Sequence, residues 1–526
     1  MRYISTRGQA AAVAALEAVR LGLAPDGGLF VPEDFPRLDG ESIGRLGQMG
    51  YSGRALALLQ PFFPDLGGPG LARAVEKAYD SGQWDDPQVV PVRWLRGWRR
   101  EVGLIELMHG PTCAFKDVGL QLLPHLLTAA LERRGQEAVI LVATSGDTGK
   151  AALAGFAGVP GTRIIVFYPA DGVSNVQKRQ MVTQAGENVH VVAVQGNFDD
   201  AQSGVKRLFA DQDLAARLAS TGRRFSSANS INWGRLAPQI VYYFSAYVDS
   251  VRNGAVPAGA EVNVVVPTGN FGNILAAYYA KCMGLPVGRF ICASNRNHVL
   301  TDFLRTGLYD RNRPFYLTSS PSMDILVSSN LERLLFEVAG RDSGQVRAWM
   351  ADLGRRGSYQ VGPPVLARLQ QDFWGGFADE SQTRGAIREF HQATGYVLDP
   401  HTAVAIHVYG QYLEQTGDRR PALVAATASP FKFPATVAEA LWGPGAVAAA
   451  TGSAGAAPGA RERDGRAEPA LAEPALVELA LLEELSRRLG QPLPGGLQGL
   501  GERPVLHTAA CRPEDMPRVV AEILDL

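Results

Sequence analysis

The sequence predicts an α/β fold with parallel sheets, behind a helical N-terminal region, and three observations carry that prediction. At 526 residues the chain is too long for one ordinary domain, so two or three are expected. From about residue 100 onward, short β-branched runs alternate with segments of helical periodicity. That alternation marks βαβ units with helices on both faces of a sheet. Gly-rich turns also stand where strand gives way to helix, beyond the carboxyl ends of strands, where such sheets bind ligands.

Residues 1–90 read as helix, turn, helix. Ala11, Ala14, Ala15 and Ala18 recur at helical spacing. The apolar run behind Arg2 and Arg7 superficially suggests a secretory leader, but Glu17 interrupts it, so an amphipathic first helix is expected. APDGGLFVP (24–32) is a turn punctuated by Pro and Gly. After Lys116 in GPTCAFKDVGLQLL (110–123), apolar positions 119, 122, 123, 126, 127, 130 and 131 keep helical spacing, and Pro124 either kinks that helix or marks a late start. AVILVA (138–143) reads as a buried strand, followed by TSGDTG and a helix from near Lys150. RIIVFY (163–168) and VHVVAV (189–194) repeat the strand signal, with a helix between them that Ser174 caps. VNVVVP (262–267), RFICAS (289–294) and ALVAAT (422–427) have the same strand character. Residues 443–476, rich in Ala, Gly and Pro, bury too little to offset ordering entropy and read as a flexible surface insertion. A helix resumes near Val477.

Composition excludes several functions. Lys and Arg number 51 against 52 for Asp and Glu, which gives no electrostatic reason to expect nucleic acid or an anionic membrane as partner. No apolar run approaches the roughly 18–20 residues that span a bilayer. Cys113, Cys282, Cys292 and Cys511 form no CxxC pair and the histidines do not cluster, so neither a disulfide framework nor a metal site is expected and a reducing cytoplasm fits best.

Three loops carry the chemistry. Lys116, between Phe115 and a helix start, is suited to partial desolvation, which lowers an amine's pKa and frees it to attack an aldehyde. The bland alternative is a surface lysine paired with Asp117. In VPTGNFGN (266–273), Gly269 and Gly272 let backbone approach a ligand at a helix N-terminus, a phosphate cradle that needs no basic side chain; the alternative is a tight turn. TSGDTGK (144–150) is not a Walker loop, because that motif needs Gly at Thr144 and a hydroxyl at Ala151. It remains a hydroxyl-rich loop suited to a carboxylate, or a capping turn.

PTCAFKD, SGDTG and GNFGN, in that order, resemble the fold-type II family of pyridoxal-phosphate enzymes. More narrowly, STRG, LAPDGGLFVP, LMHGPTCAFKD, VATSGDTGKAA, SSANSINWGRLAPQIVYYF, VVPTGNFGN, SPSMDILVSSNLERL and TASPFKFP are similar to the long form of threonine synthase. The resemblance covers roughly positions 3–440. It implies a tryptophan synthase β-like fold with two parallel-sheet α/β domains and an N-terminal helical subdomain. The implied boundaries are 1–90 for the subdomain, 91–135 with 225–526 for the large cofactor-binding domain, and 136–224 for the small one.

The same resemblance implies pyridoxal 5'-phosphate held as a Schiff base on Lys116, which then moves protons. Gly269, Asn270, Phe271, Gly272 and Asn273 match the loop that holds the cofactor phosphate, and Thr427 matches the residue facing the pyridine nitrogen. A hydroxyl there does not enforce ring protonation. The family's usual TAHP reads TASP here, so Ser429 replaces a histidine whose role is not carried over. The implied reaction turns O-phosphohomoserine and water into threonine and phosphate. Thr144, Ser145 and Thr148 would bind the substrate carboxylate; Asp147 is counted with them as a substrate contact, a role that suits it only if it faces away from the anion. Lys150, Asn229, Asn232 and Arg235 are the candidates for its phosphate. A phospholyase on the same scaffold and a non-catalytic binding protein are the alternatives. The partner expected is a small molecule, and the assembly a monomer or homodimer.

Overall fold

The computed structural model describes residues 1–80, 82–144, 146–170, 173–447 and 473–526. Most of the 443–476 stretch therefore lies outside the described residues, as does Ser145.

The N-terminal region is more than helical. Strand β1 (Arg2–Ser5) pairs antiparallel with β2 (Val13–Ala14) and β3 (Phe30–Pro32), and the first helix spans Ala15–Leu21. Of the alanines read as helical, Ala11 and Ala14 precede the helix. Strands of two to four residues are too short to carry a period, which is why the small sheet escaped the sequence reading.

The large sheet runs in the order β14 (Phe373–Phe377), β11 (Val287–Ser294), β10 (Val262–Pro267), β15 (Ala422–Ala426), β5 (Val102–Glu106), β4 (Val92–Leu95). Its strands are parallel except for β4, which is antiparallel to β5 at the edge. Every residue of VNVVVP in β10 is buried, as expected of a central parallel strand covered on both faces. The small sheet, order β16 (Ala510–Cys511), β8 (Val189–Val194), β7 (Thr162–Pro169), β6 (Glu137–Ala143), β9 (Arg223–Ser226), is parallel throughout. A two-stranded antiparallel ribbon, β12 (Leu308–Asp310) with β13 (Ser358–Gln360), lies apart from both.

Strands β6, β7, β8, β10, β11 and β15 fall where the sequence reading expects them, and Ser174 accepts from the Gln177 amide at the start of helix Asn175–Val182. Strand β16 corrects the expected boundary. It joins the edge of the small sheet, and Met516, Val520 and Leu524 of the following helix pack into the small sheet's core with Val192, Leu208 and Leu218. The end of the chain therefore belongs with the small sheet and not, as the 225–526 range implied, with the large one. A two-residue strand has no sequence signature of its own.

Helix Lys116–Glu132 starts at the lysine and contains Pro124, so the proline does not delay it. Proline has no N–H to return to the Leu120 carbonyl four residues earlier. Gly155 of helix Asp147–Phe156 sits against that carbonyl, where an added Cβ would come within 2.0 Å of the oxygen. Proline and glycine together let the two helices meet closely, and that contact presents Asp147 to Lys116.

Candidate active site

The turns that follow β10, β15 and β5 hold the centre of the site, and these strands are neighbours in the large sheet. Adjacent strands lie about 4.8 Å apart, so their carboxyl-end loops converge. The segment leading to Lys116 is tied directly to the turn after β15. Phe115 donates its N–H to the Thr427 carbonyl at 2.8 Å, Ser429 donates its N–H to the Cys113 carbonyl at 3.0 Å, and Ala114 bridges to Ala428. Thr427 is buried, its backbone N–H donates to Thr402 Oγ1 at 3.3 Å, and its hydroxyl has no partner among the described residues.

Lys116 is 8% exposed. Its Nζ donates to Ser322 Oγ at 2.9 Å and lies 3.4 Å from Asp147 Oδ2. Asp117 is not its partner; that carboxylate accepts from the Thr112 N–H at 2.9 Å and hydroxyl at 2.6 Å, and burial pushes its pKa up to about 6. Burial lowers the Lys116 pKa to about 8, opposed by Asp147 and helped by Arg235 and Lys432. The positive end of the helix dipole acts in the same direction.

Asp147 opens helix Asp147–Phe156, expected as a substrate contact but found between two lysines. Its Oδ1 accepts from Lys432 Nζ at 2.7 Å and Gln177 Nε2 at 2.8 Å, and Ser322 Oγ donates to its Oδ2 at 3.3 Å. Burial alone would raise its pKa, but Lys432 and Lys116 hold it well below the carboxylate range.

Ser322 joins the lysine to the glycine turn. A Cβ at Gly269 would lie 2.6 Å from the Ser322 carbonyl oxygen, so the turn reaches this segment only as glycine. Ser328 Oγ donates to the Gly269 carbonyl at 2.8 Å, and the Asn330 N–H and Nδ2 donate to the Asn270 carbonyl at 3.1 and 3.0 Å. Phe271 takes the left-handed conformation at φ 63° and rests its ring near Phe373. Helix Gly272–Cys282 begins there, and its first amides, lacking intrahelical acceptors, stand at the positive end of the helix dipole. Asn273 Oδ1 accepts from Tyr242 (2.6 Å) and Tyr243, which ties two helices together, while its buried Nδ2 has no partner among the described residues.

Ser322 is itself held by a buried pair. His401 Nδ1 lies 2.8 Å from Asp399 Oδ1, and His401 Nε2 accepts the Ser322 N–H at 3.2 Å. An accepting Nε2 puts the ring proton on Nδ1, facing the carboxylate. Asp399 also accepts from the Thr402 hydroxyl, so one helix N-terminus, Pro400–Thr416, positions both Ser322 and Thr427.

Several expected substrate contacts have other duties. The Thr144 hydroxyl accepts the Gly146 and Gly149 amides at 3.0 and 2.9 Å, making it the cap that the bland reading allowed. Lys150 is buried and reaches Gln184 Oε1; burial lowers its pKa to about 7. Asn232 donates to the Val19 carbonyl at 2.9 Å and accepts the Gly234 N–H at 2.9 Å, which commits it to the fold. Asn229 is exposed and Thr148 half-buried. Arg235 remains. Its guanidinium is buried, donates to the Ala228 carbonyl at 2.8 Å, and has no carboxylate partner among the described residues; burial lowers its pKa to about 10.

Ser322, Lys432, Asp399, His401 and Gln177 were not singled out from the sequence. Lys432 carried a usable signal: like Lys116 behind Phe115, it is a lysine flanked by phenylalanines (Phe431, Phe433) just beyond a buried strand.

Residues 89–427 match the family described as pyridoxal-phosphate dependent enzyme. Fold and family match together place the chain among pyridoxal-phosphate-dependent enzymes. Residues 2–79 match the threonine synthase N terminus and 402–458 the threonine synthase C-terminal family. Threonine synthase-like 1 of Homo sapiens is 43% identical over 436 residues, 81% of this chain, and the chain spans only 58% of that relative's length. Threonine synthase of Pseudomonas aeruginosa is 40% identical over 84% of this chain and 90% of its own. The crystal structure of PLP-bound threonine synthase from Brucella melitensis superposes with a TM-score of 0.83 at 35% identity, covering 99% of both chains. The chain belongs to the threonine synthase family.

Proposed function

We propose that this chain is a threonine synthase, converting O-phosphohomoserine and water to threonine and phosphate at Lys116. One observation carries the reading: the buried Lys116 amine donates to Ser322, whose backbone carbonyl abuts the glycine turn at a helix N-terminus. These residues fit pyridoxal phosphate. Lys116 would hold its aldehyde carbon, the 269–273 turn its phosphate, and the free Thr427 hydroxyl its ring nitrogen. Bound there, the cofactor supplies an electrophile for the substrate amine and a ring that accepts electrons released at the α carbon.

The chain's own groups do the rest. Lys116 Nζ, once neutral, takes the α proton and returns it, with the Ser322 hydroxyl 2.9 Å away to hold the amine in line. Arg235, a buried cation without an acid, takes the substrate phosphate and stabilises it as it leaves. Thr148 and the amides beginning helix Asp147–Phe156 receive the substrate carboxylate. A cytoplasmic setting suits four cysteines without a disulfide among them. No helix among the described residues is long and apolar enough to cross a membrane.

Purified protein supplied with pyridoxal phosphate and O-phosphohomoserine should release threonine and phosphate in equal amounts. Lys116→Ala should lower the rate by about a thousandfold or more. Formation of an α-keto acid and ammonia in place of threonine would identify a phospholyase instead.

A further inference from the structure

Two buried amines share the Asp147 carboxylate, unequally. Lys432 is 0% exposed, lies 2.7 Å from Asp147 Oδ1 and donates to the Thr112 carbonyl at 2.7 Å. Lys116 stands 3.4 Å from Oδ2 and gives its shorter hydrogen bond to Ser322. Asp147 is therefore neutralised mainly by a lysine whose Nζ is held by two acceptors, and Lys116 is left with the weaker share.

We propose that Lys432 is a positioning residue: by occupying Asp147, it keeps the carboxylate from locking Lys116 as an ammonium and so keeps that amine free to react. The proposal rests on the reading that Lys116 carries the chemistry. The charged groups around Lys116 agree with it. Arg235, from the short helix Trp233–Leu236, repels a second cation, and the adjacent Asp117 is engaged by Thr112. His401, from helix Pro400–Thr416, spends its Nε2 on the Ser322 N–H and its Nδ1 on Asp399, and so makes no bond to Asp147. Without Lys432 the nearest anion is Asp147, and nothing competes with Lys116 for it except the neutral Gln177 and Ser322. An opposite charge this close raises an amine's pKa by about one to three units.

The test follows cofactor capture by the full-length chain, because only the neutral amine condenses with an aldehyde. Pyridoxal phosphate is removed, then its rate of uptake is recorded by absorbance across pH, with borohydride reduction and peptide mass identifying the residue modified. In the unaltered chain the rate should rise with a midpoint near 8. Lys432→Met should move that midpoint upward by about one unit or more, slowing capture about tenfold at neutral pH. Lys432→Arg should retain the original midpoint. Asp147→Asn should move it downward, and this variant decides the matter if Lys432→Met does not fold. A midpoint unmoved or lowered in Lys432→Met, or unmoved or raised in Asp147→Asn, overturns the proposal alone. Failure of the unaltered chain to modify Lys116 sinks both this inference and the reading it rests on.

Discussion

At the scale of single residues, the site separates side chains that meet the reacting groups from side chains that merely stand near them in sequence. Asn232 illustrates the second kind. Both ends of its amide are spent on the Val19 carbonyl and the Gly234 amide. Asn232→Ala should cost about 1 kcal/mol of stability, the usual value of such a cap, while KM for the substrate stays unchanged; thermal unfolding and steady-state kinetics check both halves. Lys116, the 269–273 turn and Thr427 were singled out because each lies in a contiguous motif whose chemistry is local. Ser322, Asp399 and His401 were not, because their meaning arises only when a segment two hundred or more residues away folds over the lysine. Asn232 was misjudged for the converse reason. Its neighbourhood to Arg235 along the chain says nothing about which way either side chain turns.

Among elements, the close contact between helices Lys116–Glu132 and Asp147–Phe156 controls the distance from the lysine to Asp147. Gly155→Ala would drive a methyl group into the Leu120 carbonyl, which is backbone and cannot swing aside. The variant should lose about 1–3 kcal/mol, and capture of pyridoxal phosphate by Lys116 should weaken with it; calorimetry and absorbance titration measure the two effects. Strands were recognised from sequence where β-branched residues ran together, as in VNVVVP. Strand β14, FWGGF, was missed because its paired glycines carry no strand preference. Its one neighbour, β11, nevertheless defines the edge position it fills.

For the whole molecule, the small sheet depends on residues far from it in sequence. Met516 is fully buried against its core, with its sulfur close to Gly204. Met516→Ala should lower stability by about 2–5 kcal/mol. Because this core lies across the sheet from the lysine, Lys116 should keep its reactivity midpoint near 8 in the surviving folded fraction, as followed by the same uptake assay. The dependence also has a temporal side. During synthesis β8 leaves the ribosome long before β16 exists, so the growing polypeptide carries an uncovered strand edge through most of its translation. Only when β16 docks do Ala193 and Val194 at that edge gain their strand partner, and a chaperone that shields the edge in the interval would raise the yield of folded protein without touching its chemistry.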